Sequence, residues 1–132
     1  MKYMLDTNIC IYIINERPKH VIEKYKTLNT EDVVISSIVL SELAYGAYKS
    51  HHIEKNLLAL DEFIIPVRVV PYDTHAGRVF GEIRTTLEKK GTIIGAYDLQ
   101  IAAHALSINA TLVTNNMKEF SRIKHLRCEN WT

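Results

Sequence analysis

The sequence predicts an α/β fold built on a mostly parallel sheet. Three observations carry that reading. Short apolar, β-branched runs recur along the chain, among them Val33 to Ile35, Val67 to Val70 and Thr111 to Val113, and such runs read as buried strands. Between them lie segments with apolar residues at helical spacing. Strand and helix therefore alternate, which implies βαβ units, right-handed crossovers and helices on both faces of the sheet. Ligands in such a sheet bind beyond the carboxyl ends of the strands.

Taken in order, Lys2 to Leu5 reads as the first strand and Asn8 to Ile14 as a short helix. A second helix starts near Pro18, a residue favoured at the first helical position, and spaces Val21, Tyr25 and Leu28 along one face. Val33 to Ile35 is the next strand, followed by the cap signal Ser36-Ser37. Helices follow over Ile38 to Tyr48 and Asn56 to Ile65, the latter ended by Pro66. Val67 to Val70 is a third strand. Asp73 or Thr74 caps a long helix with Ala76, Val79, Phe80, Ile83 and Leu87 on its apolar side. Lys89, Lys90 and Gly91 suit the end of that helix. A helix over Tyr97 to Ile108, a strand over Thr111 to Val113 and a fifth strand near Leu126 to Cys128 complete the chain.

With 132 residues and 47% hydrophobic residues, one domain spanning residues 1–132 is expected, with room for a real core. The formal net charge of +1 excludes a broadly basic nucleic-acid binder but not a local basic face. Cys10 and Cys128 lack metal-ligand spacing and read as reduced core thiols, which points to the cytoplasm. No apolar run approaches the length of a membrane span, and Asp6 interrupts the apolar start where a signal peptide would need continuity.

Four acids stand out. Asp6 follows the first strand directly, where a carboxylate either caps the next helix or faces a ligand. Glu42 has Ile38, Tyr45 and Gly46 one turn away instead of a basic partner. Asp98 lies near the start of the most apolar helix, where an unpaired carboxylate needs a cap role, a base or a metal. Asn116 and Glu119 have capping-box spacing, but they also follow the fourth strand, at the edge where Asp6 lies. Carboxylates that converge without cations repel one another and are stable together around divalent ions; all-oxygen donors suit Mg²⁺ or Mn²⁺. Metal-assisted phosphoryl chemistry is the reaction class this implies. His51, His52, His75 and His104 show no ligand spacing and read as solvated or core residues. Arg78, Arg84, Lys49 and Lys55 are candidate phosphate contacts, but on helix surfaces they read more readily as solvated faces. No glycine-rich phosphate loop follows the first strand.

Those acids sit in an ordered set of motifs: Met4-Leu5-Asp6-Thr7-Asn8, Ser36-Ser37 with Glu42-Leu43 and Gly46, Gly95-Ala96-Tyr97-Asp98 with Ile101-Ala102, and Thr114-Asn115-Asn116 before Glu119-Phe120. The set, with the terminal Glu129-Asn130-Trp131, resembles PIN-domain ribonucleases, and among them the VapC-type toxins of bacterial toxin–antitoxin pairs. The resemblance implies an α/β/α sandwich around a mostly parallel five-stranded sheet, a Mg²⁺-dependent endonuclease site that Mn²⁺ can also serve, a homodimer and a cognate VapB-type antitoxin. Asp6, Glu42 and Asp98 carry over as catalytic and metal-binding acids. Many relatives have Asp where this chain has Asn116, and Glu119 is the candidate to supply the missing carboxylate. The subgroup most similar to this chain cuts initiator tRNA in its anticodon stem-loop. The competing reading is a catalytically degenerate PIN-like module that binds RNA or protein; the three intact motif acids favour the enzyme.

Overall fold

The computed structural model describes residues 1–132. Its five strands are β1 (Tyr3–Leu5), β2 (Val33–Ser36), β3 (Arg68–Val70), β4 (Thr111–Val113) and β5 (Cys128–Glu129). They form one all-parallel sheet in the order β3-β2-β1-β4-β5. The seven helices are α1 (Thr7–Ile14), α2 (Lys19–Lys26), α3 (Ser37–Lys49), α4 (Ile53–Ile64), α5 (Thr74–Lys90), α6 (Ala96–Ser107) and α7 (Met117–Phe120).

The strand order decides where a site can form. From β1 the chain steps to β2 and then β3, carrying α1 to α4 along. It then crosses back past β1 to β4 and on to β5, carrying α5, α6 and α7. Right-handed crossovers in opposite directions put these two helix groups on opposite faces. The reversal falls between β1 and β4, and a crevice opens at such a point beyond the strand ends. The core between the layers is apolar and continuous, with Met4, Leu5, Ile35, Leu112 and Phe120 fully enclosed. Each central strand is buried on both sides, which is why its sequence is an unbroken apolar run instead of an alternating one.

Most element ends lie within a residue or two of expectation, and the caps explain them. Ser36 Oγ accepts from the Ile38 N–H at 3.1 Å, and Asp73 Oδ1 accepts from the Ala76 N–H at 3.0 Å. Gly91 ends α5 in the left-handed region at φ 70°, where glycine carries no Cβ penalty. Pro18 lies one position before the first helical residue of α2. Three differences are larger. Helix α4 begins at Ile53 instead of Asn56, because its first turn is exposed and so carries no apolar period. Asn56 Nδ2 bonds Ser50 Oγ there at 2.8 Å and closes the α3–α4 turn. Strand β5 is Cys128–Glu129 instead of Leu126 to Cys128, its register set by backbone bonds from Leu112 to Arg127 and from Thr114 to Glu129. A 3-10 turn over Thr30–Asp32, capped by Asn29, precedes β2. Cys10 is buried, Cys128 is half-buried, and both are free thiols. No helix is long and apolar enough to cross a membrane.

Candidate active site

Asp6 is the first residue past β1, and its N–H donates to Val113 O of β4 at 3.0 Å. Its Oδ1 accepts from the Ile9 N–H at 3.0 Å, so it does cap α1. Capping and facing the crevice are compatible, because one carboxylate oxygen meets the helix while the group lines the cleft. Asp6 is only 8% exposed. Burial raises its pKa, the hydroxyl of Thr114 and the Ile9 N–H oppose that rise, and the charge of Asp98 adds to it.

Asp98 stands in the first turn of α6, whose preceding residue Gly95 offers no capping side chain. It is half-buried, and its pKa is raised by burial and then by the charge of Glu119. Glu42 is exposed on α3, and its charge reaches Tyr97. Asp6, Thr7, Asn8, Glu42, Tyr97, Asp98 and Ile101 line one cleft of about 290 Å³. Glu119 stands outside that lining but close enough to Asp98 to disturb it. The chain's two ion pairs, Lys19–Glu23 and Arg84–Glu88, involve none of these acids. Asn116 makes no side-chain cap bond to α7; its N–H instead donates to Thr114 Oγ1 at 3.0 Å. The capping box that competed for Glu119 is therefore not formed.

A mutually repelling set of unpaired acids at the switch point of a parallel sheet is a distinctive arrangement, and its relatives are identifiable. The PIN-domain family model matches residues 3–126. The chain is 49% identical over 132 residues to a protein of Rickettsia felis named ribonuclease VapC2, covering 99% of this chain and 98% of the relative. The chain belongs to the VapC ribonucleases of the PIN-domain family. Its identity to the tRNA(fMet)-specific endonuclease VapC of Salmonella typhimurium is 48% over 131 residues, 99% of this chain and 98% of that one. Two solved structures have the same fold end to end. DNA-bound VapBC from Salmonella typhimurium superposes with a TM-score of 0.93 at 47% identity, covering 100% of this chain and 99% of that one. VapBC2 from Rickettsia felis, bound to a promoter DNA fragment, superposes at 0.92 and 47%, covering both chains completely. The expected α/β/α sandwich with a five-stranded parallel sheet is thus correct, and so is the family resemblance.

PIN-domain ribonucleases depend in general on divalent metal ions. In this chain no three His, Cys, Asp or Glu side chains stand close enough to form a ready-made coordination sphere. The open cleft still fits such an ion, because Mg²⁺ keeps several waters and needs only one or two carboxylates. Burial raises both the Asp6 and Asp98 pKa values, with the charge of Asp98 adding to the first and that of Glu119 to the second, and a cation held by these acids would oppose both rises.

Sequence reasoning missed a frame of hydrogen bonds around the cleft. Thr7 Oγ1 and Tyr97 OH bond at 2.7 Å, joining the starts of α1 and α6 beside Asp6 and Asp98. Burial pushes the Tyr97 phenol up to about 12, so it stays a neutral hydrogen-bonding group. Asn115 Nδ2 donates to Tyr12 OH at 3.1 Å and ties the β4–α7 loop to α1. The adjacency of Tyr97 and Asp98 was visible, but their meeting with Thr7 spans ninety residues and has no local signal. His104 is a core residue. It is 1% exposed, Nδ1 bonds Ser36 Oγ at 2.8 Å, and burial holds its pKa below the ordinary range. His51, His52 and His75 are exposed. Arg84 pairs with Glu88 and lies over Phe80, and Lys49 lies over Tyr45, so both have local partners. Lys55 and Arg78 are exposed on helix surfaces, and none of these four cations lines the cleft.

Proposed function

We propose that this chain, a single PIN domain over residues 1–132, is a Mg²⁺-dependent endoribonuclease toxin that cuts initiator tRNA in the anticodon stem-loop. Mn²⁺ replaces Mg²⁺, the working unit is a cytoplasmic homodimer, and a VapB-type antitoxin holds it inactive. One observation carries the chemistry: Asp6 and Asp98, from elements either side of the switch point, line one cleft with no cation paired to either, and burial raises both pKa values, the charge of Asp98 adding to the rise at Asp6 and that of Glu119 to the rise at Asp98. The substrate reading is supported by full-length similarity to a tRNA(fMet)-specific endonuclease, and the partner reading by the fold shared with VapBC complexes.

Asp6 and Asp98 would hold the ion, and Glu42 and Glu119 would hold its waters; Asn116 offers a neutral carbonyl at the family's usual acid position. When bound, the ion supplies Lewis acidity at the phosphodiester. The chain's own residues supply the geometry. The α1 cap fixes Asp6, the Thr7–Tyr97 bond holds α1 against α6, and the β4–α7 loop is tied to Tyr12. With a formal charge of only +1, selectivity rests on the shape and splayed bases of a loop more than on duplex attraction. Next to the cleft, an apolar groove of about 280 Å³ between α1, α3 and α4 is lined by Ile11, Ile14, Leu43, Ala47 and Leu60, and it shares Glu42 with the cleft. An antitoxin segment seated there would carry a basic side chain to the acids.

Incubating the purified chain with total tRNA is the direct test. A single cut in the anticodon loop of initiator tRNA is expected with Mg²⁺, and none with EDTA. Cutting that is equal in EDTA would overturn the metal assignment, and no cutting at all would favour the binding module. Glu119→Gln separates the fourth acid's roles. Its melting temperature should stay within a degree or two, since no capping box is lost, while its Mg²⁺ requirement rises by roughly 10- to 100-fold. Adding Asn116→Asp should recover part of that affinity. Unchanged metal dependence in Glu119→Gln would remove this residue from the site.

A further inference from the structure

An acid cleft has to repel most of an RNA chain while it engages one phosphodiester. A substrate polyanion therefore needs compensating cations within reach of the cleft, and net charge alone does not reveal them. The ten residues from Lys118 to Arg127 hold four of the chain's sixteen Lys and Arg residues and only one of its fifteen acids, with His125 in addition. Outside this segment acids outnumber cations, fourteen to twelve. Lys118, Arg122, Lys124, His125 and Arg127 are all exposed. None is in an ion pair, since the two pairs present lie on α2 and α5.

Topology makes these residues a strip that starts beside the cleft. Lys118 shares helix α7 with Glu119, the acid that acts on Asp98. Arg122 Nη1 donates to Ile93 O at 3.0 Å, in the loop that leads into α6 and Asp98. The chain then runs to the start of β5, parallel to β4 at the sheet edge, where Arg127 Nη2 donates to Asn109 O at 2.8 Å. Each guanidinium spends one of its five donors on a carbonyl and keeps the others for an anion. The strip thus runs from the catalytic edge of the sheet down its β5 side. Of the other cation groups, those on α2 are interleaved with Glu23, and Lys89 and Lys90 sit at the end of α5, where they answer the helix dipole.

We infer that Lys118, Arg122 and Lys124, with Arg127 beyond them, form the track that binds the phosphate backbone of the RNA as it leaves the acid cleft. This rests on the ribonuclease reading above. The strip's continuity with α7 favours RNA over an acidic protein partner, because the strand being cut must pass this rim.

The test is binding of the initiator tRNA anticodon stem-loop to the full chain carrying Asp98→Asn, with and without Lys118→Gln, Arg122→Gln and Lys124→Gln together. The triple change should reduce the slope of log affinity against log salt by about 2, at roughly 0.7 per single-strand phosphate contact. Raising salt from about 50 to about 200 mM should then cost the unmodified strip about 15-fold more affinity than the neutralised one. In the active chain the loss should fall on KM and leave kcat at saturating RNA within about twofold. Arg122→Lys, which keeps the charge, should retain the slope, and this separates the charge from the brace to Ile93. An unchanged slope in the triple variant of a chain that cuts tRNA overturns the track and spares the ribonuclease reading. Loss of antitoxin binding with RNA binding intact overturns it as well, by making the strip a protein-docking face. A wild-type chain that neither binds nor cuts RNA removes both.

Discussion

Asp6→Asn is expected to lose more than about 100-fold of ribonuclease activity while the metal-free protein melts at the same temperature or slightly higher. Outer-shell groups around a metal are worth roughly 10- to 100-fold, and a direct ligand is worth more. The fold survives because Asn caps a helix about as well as Asp, so the bond from the Ile9 N–H to Oδ1 is kept. Stability gains because the folded pKa of Asp6 is raised above its ordinary 3.8. A group raised in this way stabilises the fold below its unfolded pKa and loses that contribution as pH rises through the folded value. The advantage of Asn should therefore be absent below pH 3.8 and full at neutral pH. Asp6→Ala gives the control: equally inactive, but less stable than Asp6→Asn by about 1 kcal/mol for the lost cap. Thermal melts across pH, with tRNA cleavage at fixed Mg²⁺, check both halves. Full activity in Asp6→Asn would remove Asp6 from the site.

Leu112→Ala is expected to cost about 2–5 kcal/mol of folding stability, a large share of the roughly 5–15 kcal/mol a domain has. Leu112 is fully buried in β4, between Met4 of β1 and Cys128 of β5. The surrounding strands are held by two ladders and cannot collapse onto the void, so the cavity penalty persists. The melting temperature should fall by on the order of 10 °C. Below that transition, cleavage per folded molecule should stay within a few-fold, because the backbone bonds that place Asp6 against Val113 do not involve the side chain. A loss under about 1 kcal/mol in denaturant titration would mean that β4 does not lie in the packed centre of the sheet.

The α/β class and the order of the elements were legible because each rests on local chemistry, and local chemistry also singled out Asp6, Glu42 and Asp98, which the fold brings to one cleft. Val33 to Ile35 is β-branched and enclosed, Gly91 stops α5, and Asp6 follows a strand with nothing between. The first turn of α4 was not legible, because an exposed turn has no apolar period. The exact place of β5 was not either, since two residues take their register from β4. Asn116 and Glu119 had the spacing of a cap that does not form, because Thr114 Oγ1 takes the Asn116 N–H. The strip from Lys118 to Arg127 was present as letters, but its charge is hidden in a chain whose total is +1.

Composition and periodicity thus settle which residues are apolar, where most helices start and stop, and which acids have no cation one turn away. These are matters of neighbours three or four positions apart, and side-chain periodicity and capping settle them. The reversal of the chain between β1 and β4 belongs to the folded sheet and has no local signal. That reversal brings Asp6 and Asp98 into one cleft, sets Glu119 beside Asp98, and lets Thr7 meet Tyr97 and Arg122 meet Ile93. Charges separated by about ninety residues act on one another through space, and the strand order alone fixes that distance.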